Sequence, residues 1–294
     1  MDIYVPDYYR SFSCLGGACQ HNCCIGWEID IDDESLARYQ NSEGALGEKL
    51  RGNIDLSGEN AHFRLQKNGR CPFLNEENLC EIILAVGEEG LCQICRDHPR
   101  YRNFYSFGVE MGLGLCCEEA ARLILSQTKP PRFVLLSGDG KKKPTDEEQR
   151  FFSLREEMIA LAYSSEIPNW ERPAAIYAKY GLLETEEDWP SVYAKLTHLN
   201  PDWKEGLWRL KQRPEKEMYA AFPQLFSYFL YRHFSGGLTD GRLSARLKFS
   251  IHAAEMILRM SPSLAAVCEI ARQYAEEIEY AEENMETLLD RLSL

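Results

Sequence analysis

The stretch SCLGGACQHNCCIGW, residues 13–27, places four cysteines within eleven positions, with Cys23 and Cys24 adjacent. Thiols crowd in this way for one of three reasons: disulfides, a metal or simple burial. The rest of the chain narrows the choice. Ten of the 11 cysteines lie between Cys14 and Cys117, and Cys268 stands alone far downstream. Cys71 and Cys80 flank a polar Asn-Glu-Glu-Asn tip, Cys92 and Cys95 have two residues between them, and Cys116–Cys117 is a second adjacent pair. A free cysteine is often a small buried apolar residue, and Cys268, on an apolar helix stripe, reads that way. Ten packing cysteines would not gather in the first two-fifths of a chain.

The opening MDIYVPDYYRSF has no basic start and no apolar run, so it is not a secretory signal. No stretch approaches the roughly 18 apolar residues of a membrane helix. The expectation is a cytoplasmic protein without a membrane partner, whose thiols stay reduced. Reduced thiolates in such numbers suit zinc or an iron–sulfur cluster. The spacings match neither a simple zinc ribbon nor a bacterial ferredoxin run, so they leave the metal open. His21, His62 and His98 lie near the cysteines and could ligate, though a lone histidine is more often a surface or packing residue.

The chain has 294 residues, is 45% hydrophobic and carries a net charge of -13. It is long enough for a core without staples. Its acidity argues against nucleic acid, which wants a basic face.

The cysteine distribution divides the molecule: a cysteine-rich domain at 1–127, a connector at 128–146 and a helical domain at 147–294. The expected fold is mainly α, with a small cysteine-rich α+β metal-binding N-terminal part. In the connector, Phe133 to Leu136 could be a short strand. Thr145 is the expected N-cap of a helix whose first turn holds Asp146, Glu147 and Glu148. PEKEMYAAFPQLFSYFLYRHFSGG (214–237) reads as one helix, kinked at Pro223 and stopped by Gly236 and Gly237. Two amphipathic helices follow, within 239–261 and 261–292. Nearer the front, GWEIDIDDESLARYQ (26–40) reads as a short strand entering a helix capped by Asp32 or Asp33. RCPFLNEENLCEII (70–83) reads as a hairpin, and EEAARLILSQ (118–127) as a short helix.

Four of these blocks together resemble the flagellin lysine-N-methylase family: YYRSFSCLGGACQHNCCIGWEIDID, CPFLNEENLCEI, CRDHPR and LCCEEAARLIL. That family sits within a wider group of cysteine-rich proteins regarded as zinc- or iron-chelating. The blocks fall in the family's order over residues 8–125. The resemblance implies a cytoplasmic methyltransferase that acts on lysines of flagellin. It further implies S-adenosylmethionine as donor and an iron–sulfur cluster of the 4Fe-4S type, with zinc as the alternative. Carried over position by position, the family's cysteines are Cys14, Cys19, Cys23, Cys24, Cys71, Cys80, Cys95 and Cys117. Cys92 and Cys116 are additional to that pattern. Glu118 stands where the family has proline, and His98 where it has an aromatic residue. The second reading is a metal-binding module without methylase activity, serving electron transfer or metal handling. The third is a zinc-stapled interaction protein.

Methyl transfer to lysine needs a neutral amine, so a group with a pKa near ~10.4 must first lose its proton. Acidic and aromatic side chains suit a lysine and a sulfonium. Tyr8, Tyr9, Trp27, Asp30, Asp32 and Tyr101 are near the cysteine blocks, and each is as well explained by packing or capping. Arg96 and Arg100 could meet a cluster or a carboxylate, or form structural bonds. No catalytic residue is assigned from the sequence.

Overall fold

The computed structural model describes residues 1–294, the side chains of 201 and 202 aside. It is mainly helical, and its residues group into two compact units. One joins Met1–Phe12 to Tyr101–Leu294, and the other is Ser13–Arg100. The grouping differs from a cut at residue 127 for a physical reason. The strand β1 (Asp2–Pro6) pairs in parallel with Gly108–Leu113 and antiparallel with Phe133–Ser137. Those backbone bonds tie the first residues to the segment after 100.

In chain order the remaining strands are β2 (Ile54–Asp55), β3 (His62–Phe63), β4 (Arg100–Tyr105), β5 (Gly108–Leu113) and β6 (Phe133–Ser137). The larger sheet has the order β4-β5-β1-β6; β2 and β3 form a separate small ladder. The apolar run at 133–136 is therefore an edge strand. Every residue of β5 is buried, which leaves Glu110 without water. Arg155 answers it with two hydrogen bonds of 2.6 and 2.7 Å from a side chain that is itself buried.

The helical part of this unit packs the helix Phe222–His233 against Leu243–Met260, with Phe222, Phe226, Phe229, Phe249 and Tyr274 in its interior. Thr145 caps the helix Asp146–Ala162 in a full capping box with Glu148. Two expectations need correction. Pro223 lies in the first turn of Phe222–His233 and kinks nothing, because Lys216–Ala221 before it is a 3-10 segment and the first turn tolerates proline. Gly236 and Gly237 do not end the run. A short helix, Gly237–Asp240, follows them and stops at Gly241, whose φ of +73° gives the left-handed C-cap. The stretch after 261 is also not one helix. It runs as Val267–Tyr274, a π-helical turn Ala275–Glu279, and Glu282–Leu292.

The unit Ser13–Arg100 has a small core of Ile29, Ile31, Tyr39, Leu50, Phe63, Phe73, Leu74, Ile82 and Leu91, completed by Cys71 and Cys92. Phe63 lies between Tyr39 and Phe73, with ring centroids 5.8 and 4.8 Å away. The segment before Asp32 forms one bridge, Asp30 with His62, in place of the expected strand. The expected hairpin at 70–83 is a turn closed by the single bridge Leu74–Cys80. Among the described residues, no helix is long and apolar enough to cross a membrane.

Candidate metal centre

Backbone bonds gather the cysteine blocks of Ser13–Arg100. The Asn22 side chain accepts the Cys24 N–H at 2.9 Å, which turns the chain behind the adjacent pair. The Cys24 carbonyl then accepts the Cys71 N–H at 2.8 Å, joining the first block to the second. At the tip beyond Cys71, Asn75 Oδ1 accepts the N–H groups of Glu77 and Leu79 at 3.0 and 2.8 Å. This turn returns the chain to Cys80, the residue before the helix Glu81–Val86. Gly17 explains the glycines between Cys14 and Cys19: a Cβ there would stand 2.5 Å from the Glu77 carbonyl oxygen.

Asp32 joins the third block. Its carboxylate accepts Ser35 N–H at 2.9 Å and Gln93 N–H at 2.7 Å. One side chain therefore serves the starts of two helices, Asp33–Gln40 and Gln93–Asp97, and Cys92 is the residue before the second. Burial pushes the Asp32 pKa up, but these backbone bonds outweigh it and hold the group below its ordinary value. Arg38 and Arg96 both donate to the Leu91 carbonyl, at 2.9 and 3.0 Å. Asp32→Ala is expected to destabilise this unit by about 1–2 kcal/mol, the range of a lost N-cap, read as a lower urea midpoint. An unchanged midpoint would show that Asp32 links nothing.

The thiols meet in the small core. Cys71 and Cys92 are buried in it, and Cys24, Cys80 and Cys95 pack against it. Cys23 is exposed and is hydrogen-bonded to both Cys24 and His98. The Cys92 and Cys95 thiols likewise act on each other's ionisation. In each pair one thiol keeps the proton that stabilises the other as thiolate. The shared proton therefore draws Cys23 and Cys92 down and pushes Cys24 and Cys95 up. Burial, with the charges of Cys80 and Cys92 adding to it, raises Cys71 to about 11. These thiols thus lie within electrostatic reach of one another.

Of the eight matched cysteines, the structure gathers Cys23, Cys24, Cys71, Cys80 and Cys95. Cys14 and Cys19 are on the loop of the same unit, where Cys14 Sγ accepts the Gly16 N–H and Cys19 Sγ donates to the His21 carbonyl, both at 3.4 Å. Cys117 falls in the other unit, just before the helix Glu118–Leu125. Its neighbour Cys116 is buried and bonds to Tyr280 Oη at 3.2 Å. All 11 cysteines are free thiols. Among the described residues, no three His, Cys, Asp or Glu side chains are drawn into a closed ligand set. The thiols come from three chain segments, and thiolate is the ligand type that suits a soft metal.

Most other candidates have structural partners. Asp32 caps, as above. Arg100 donates to the carbonyls of Arg96 and His98, at 3.1 and 3.3 Å. Tyr8, Tyr9 and Tyr101 pack on the core of the larger unit. Asp30 pairs through its backbone with His62, and Trp27 is half-buried.

A second polar cluster, in the larger unit, was not foreseen. Glu279, wholly buried, accepts from Arg232 at 2.9 Å, from His233 at 2.6 Å and from Tyr228 at 2.9 and 3.0 Å. Arg232 lies over the rings of Tyr101 and Tyr280, and Tyr228 Oη also accepts the Leu115 N–H. The cluster therefore fastens the segment carrying Cys116 and Cys117. The only sequence signal was a charged pair, Arg232–His233, ending an apolar helix. Its partner comes from the π turn, which no periodicity announces.

A cysteine-rich unit with a pooled set of thiols, in one chain with a larger helical unit, defines a cysteine-rich class of protein. Within that class, Flagellar biosynthetic protein FliU of Salmonella muenchen is 32% identical over 127 residues, 41% of this chain and 75% of that protein. Lysine-N-methylases of Salmonella typhimurium and Salmonella choleraesuis are each 29% identical over 181 residues, 59% of this chain and 44% of theirs. No family model and no solved structure matches the chain. The chain belongs to the flagellin lysine-N-methylase family. It spans less than half the length of the lysine-N-methylases it matches.

Proposed function

We propose that this protein transfers methyl groups from S-adenosylmethionine to lysine side chains of flagellin, as a cytoplasmic enzyme whose cysteine-rich unit carries a thiolate-held metal centre. The observation that carries the metal reading is the pool of thiols in the core of Ser13–Arg100. Thiolates so close repel one another, and a bound cation lets all of them ionise near neutral pH. The small core of the unit also profits from a staple. The methylase reading is supported by the relatives' names.

A 4Fe-4S cluster, or zinc in its place, would be held by cysteines of the matched set within Ser13–Arg100: Cys23, Cys24, Cys71, Cys80 and Cys95 from the pool, with Cys14 and Cys19 as further donors. Such a group would supply a rigid charged anchor for the unit. Asp32 orients the segment bearing Cys92 and Cys95, and His98 holds Cys23 by a hydrogen bond that favours its thiolate. Among the described residues, none is assigned to the methyl donor. The four-stranded sheet, with β1 parallel to one neighbour and antiparallel to the other, does not offer the crevice of a doubly wound dinucleotide fold.

The test is transfer of labelled methyl from S-adenosylmethionine to purified flagellin by anaerobically prepared protein. Label on flagellin lysines, lost when flagellin is acetylated beforehand, is the expected result. Metal-loaded protein that labels no flagellin would instead favour the metal-binding module.

A further inference from the structure

The larger sheet ends at β6, whose outer side carries no partner strand among the described residues. Edge strands are commonly blunted by a charge or a proline. The opposite edge, β4, has Arg100 and Arg102 within it. β6 reads FVLLS and has neither device. Its Val134 and Leu135 are 43% and 39% exposed.

The register identifies the open backbone groups. Asp7 N–H donates to the Arg132 carbonyl at 2.8 Å, one step beyond the Pro6–Phe133 pair. Bonded and non-bonded pairs alternate along an antiparallel ladder. Phe133 and Leu135, opposite Pro6 and Tyr4, therefore turn their N–H and C=O groups away from β1. Pro6 has no N–H to give, which fits that register.

Positive charge flanks this edge. Residues 126–145 hold five cations, Lys129, Arg132, Lys141, Lys142 and Lys143, and one carboxylate, Asp139, in a chain of net charge -13. All five cations are exposed. Asp139 is already paired with Lys141 at 3.1 Å, and its N–H donates to Asp2 Oδ1 at 3.0 Å, which pins the turn after β6. A Cβ on Gly140 would touch Leu135 Cδ2 at 3.4 Å, so the lysine run leaves that turn beside the strand. A second copy of β6 does not suit the edge. Antiparallel pairing would set Lys141, Lys142 and Lys143 of one chain near Lys129 and Arg132 of the other, and facing like charges cost affinity.

We propose that β6 is a docking edge for an extended, acidic segment of a partner protein. The segment adds a strand to the sheet through the backbone of Phe133 and Leu135, and its carboxylates meet the flanking cations.

The test measures binding of a labelled peptide, Asp-Glu-Val-Thr-Val-Thr-Val-Glu-Asp, to the whole chain by fluorescence anisotropy. Wild type is compared with Leu135→Pro, which removes an outward N–H and leaves the pairing with β1 in place. Wild type is also titrated with two control peptides, one with proline for the central valine and one with lysine for every acid. The expected result is saturable binding of the parent peptide to wild type, and binding about tenfold weaker in each of the three altered cases. Amide-exchange protection of the helix Leu243–Met260 reports whether Leu135→Pro is folded; if it is not, the proline peptide on wild type decides. Equal binding of the proline peptide overturns strand addition and leaves charge alone. Equal binding of the lysine peptide overturns the acidic partner, and no binding to wild type overturns the whole proposal. A wild type that sediments as a dimer, with Leu135→Pro a monomer, assigns the edge to a second copy and overturns it as well.

Discussion

Replacing Cys24 and Cys95 together by alanine is expected to unfold Ser13–Arg100 while the larger unit keeps its helices. Both of these thiols pack on the same core. That core is small and contains two further cysteines, so its apolar burial leaves little margin. Structural thiolate–metal sites contribute about 10–16 kcal/mol in small zinc domains. Loss of two central donors would therefore exceed the stability of a unit this size. Hydrogen exchange followed by peptide is the direct readout. Residues 33–52 should exchange at the rate of unfolded chain in the double variant, and the helix Leu243–Met260 should remain protected. Retained protection at 33–52 would show that the thiols only fill space.

The second large effect belongs to the larger unit. Glu279→Ala should destabilise it by about 3–5 kcal/mol, because it leaves the buried Arg232 without its carboxylate. Tyr228 and His233 lose their acceptor in the same step. The pH dependence has a definite sign. Burial pushes the Glu279 pKa up, but Arg232 and His233 outweigh it and hold the carboxyl below its ordinary 4.5. The unfolded chain thus takes up this proton more readily than the folded one. The contribution is present above about pH 4.5 and is lost as the pH falls through the folded value. Burial also lowers His233 below its ordinary 6.5, more than Glu279 raises it, so stability begins to fall on acidification below that point. Urea midpoints across pH 3–7 should show the lower step in wild type and not in Glu279→Ala. Parallel curves would remove Glu279 from the account.

What was legible in the sequence follows from locality. The Thr145 cap, the cap at Asp32 or Asp33 and the polar tip at Asn75 depend on residues within a few positions: Thr145 and Asp32 do cap, and the tip forms as a turn where a hairpin was expected. The edge strand at Phe133 was signalled by its own apolar run. The central strand Asp2–Pro6 was not, because its partners lie about a hundred residues away and its five residues show no alternation. Pro223 misled because a proline between two apolar stretches reads as a kink; the 3-10 segment ahead of it makes it a helix start. The cysteine blocks were visible by composition, and comparison with the family set Cys92 aside. Burial brings it back into the pool, a property that spacing does not carry. Glu279 was hidden in an apolar stripe until the π turn placed it against Arg232.

The most direct test of the central claim is the metal content of the anaerobically purified protein, measured as iron, acid-labile sulfide and zinc per chain alongside a thiol titration. The account predicts stoichiometric metal, with most of the thiols between Cys14 and Cys95 unreactive until a chelator or acid releases it. A metal-free chain in which all 11 cysteines titrate as ordinary thiols after mild denaturation, and which takes up neither iron nor zinc, would contradict it.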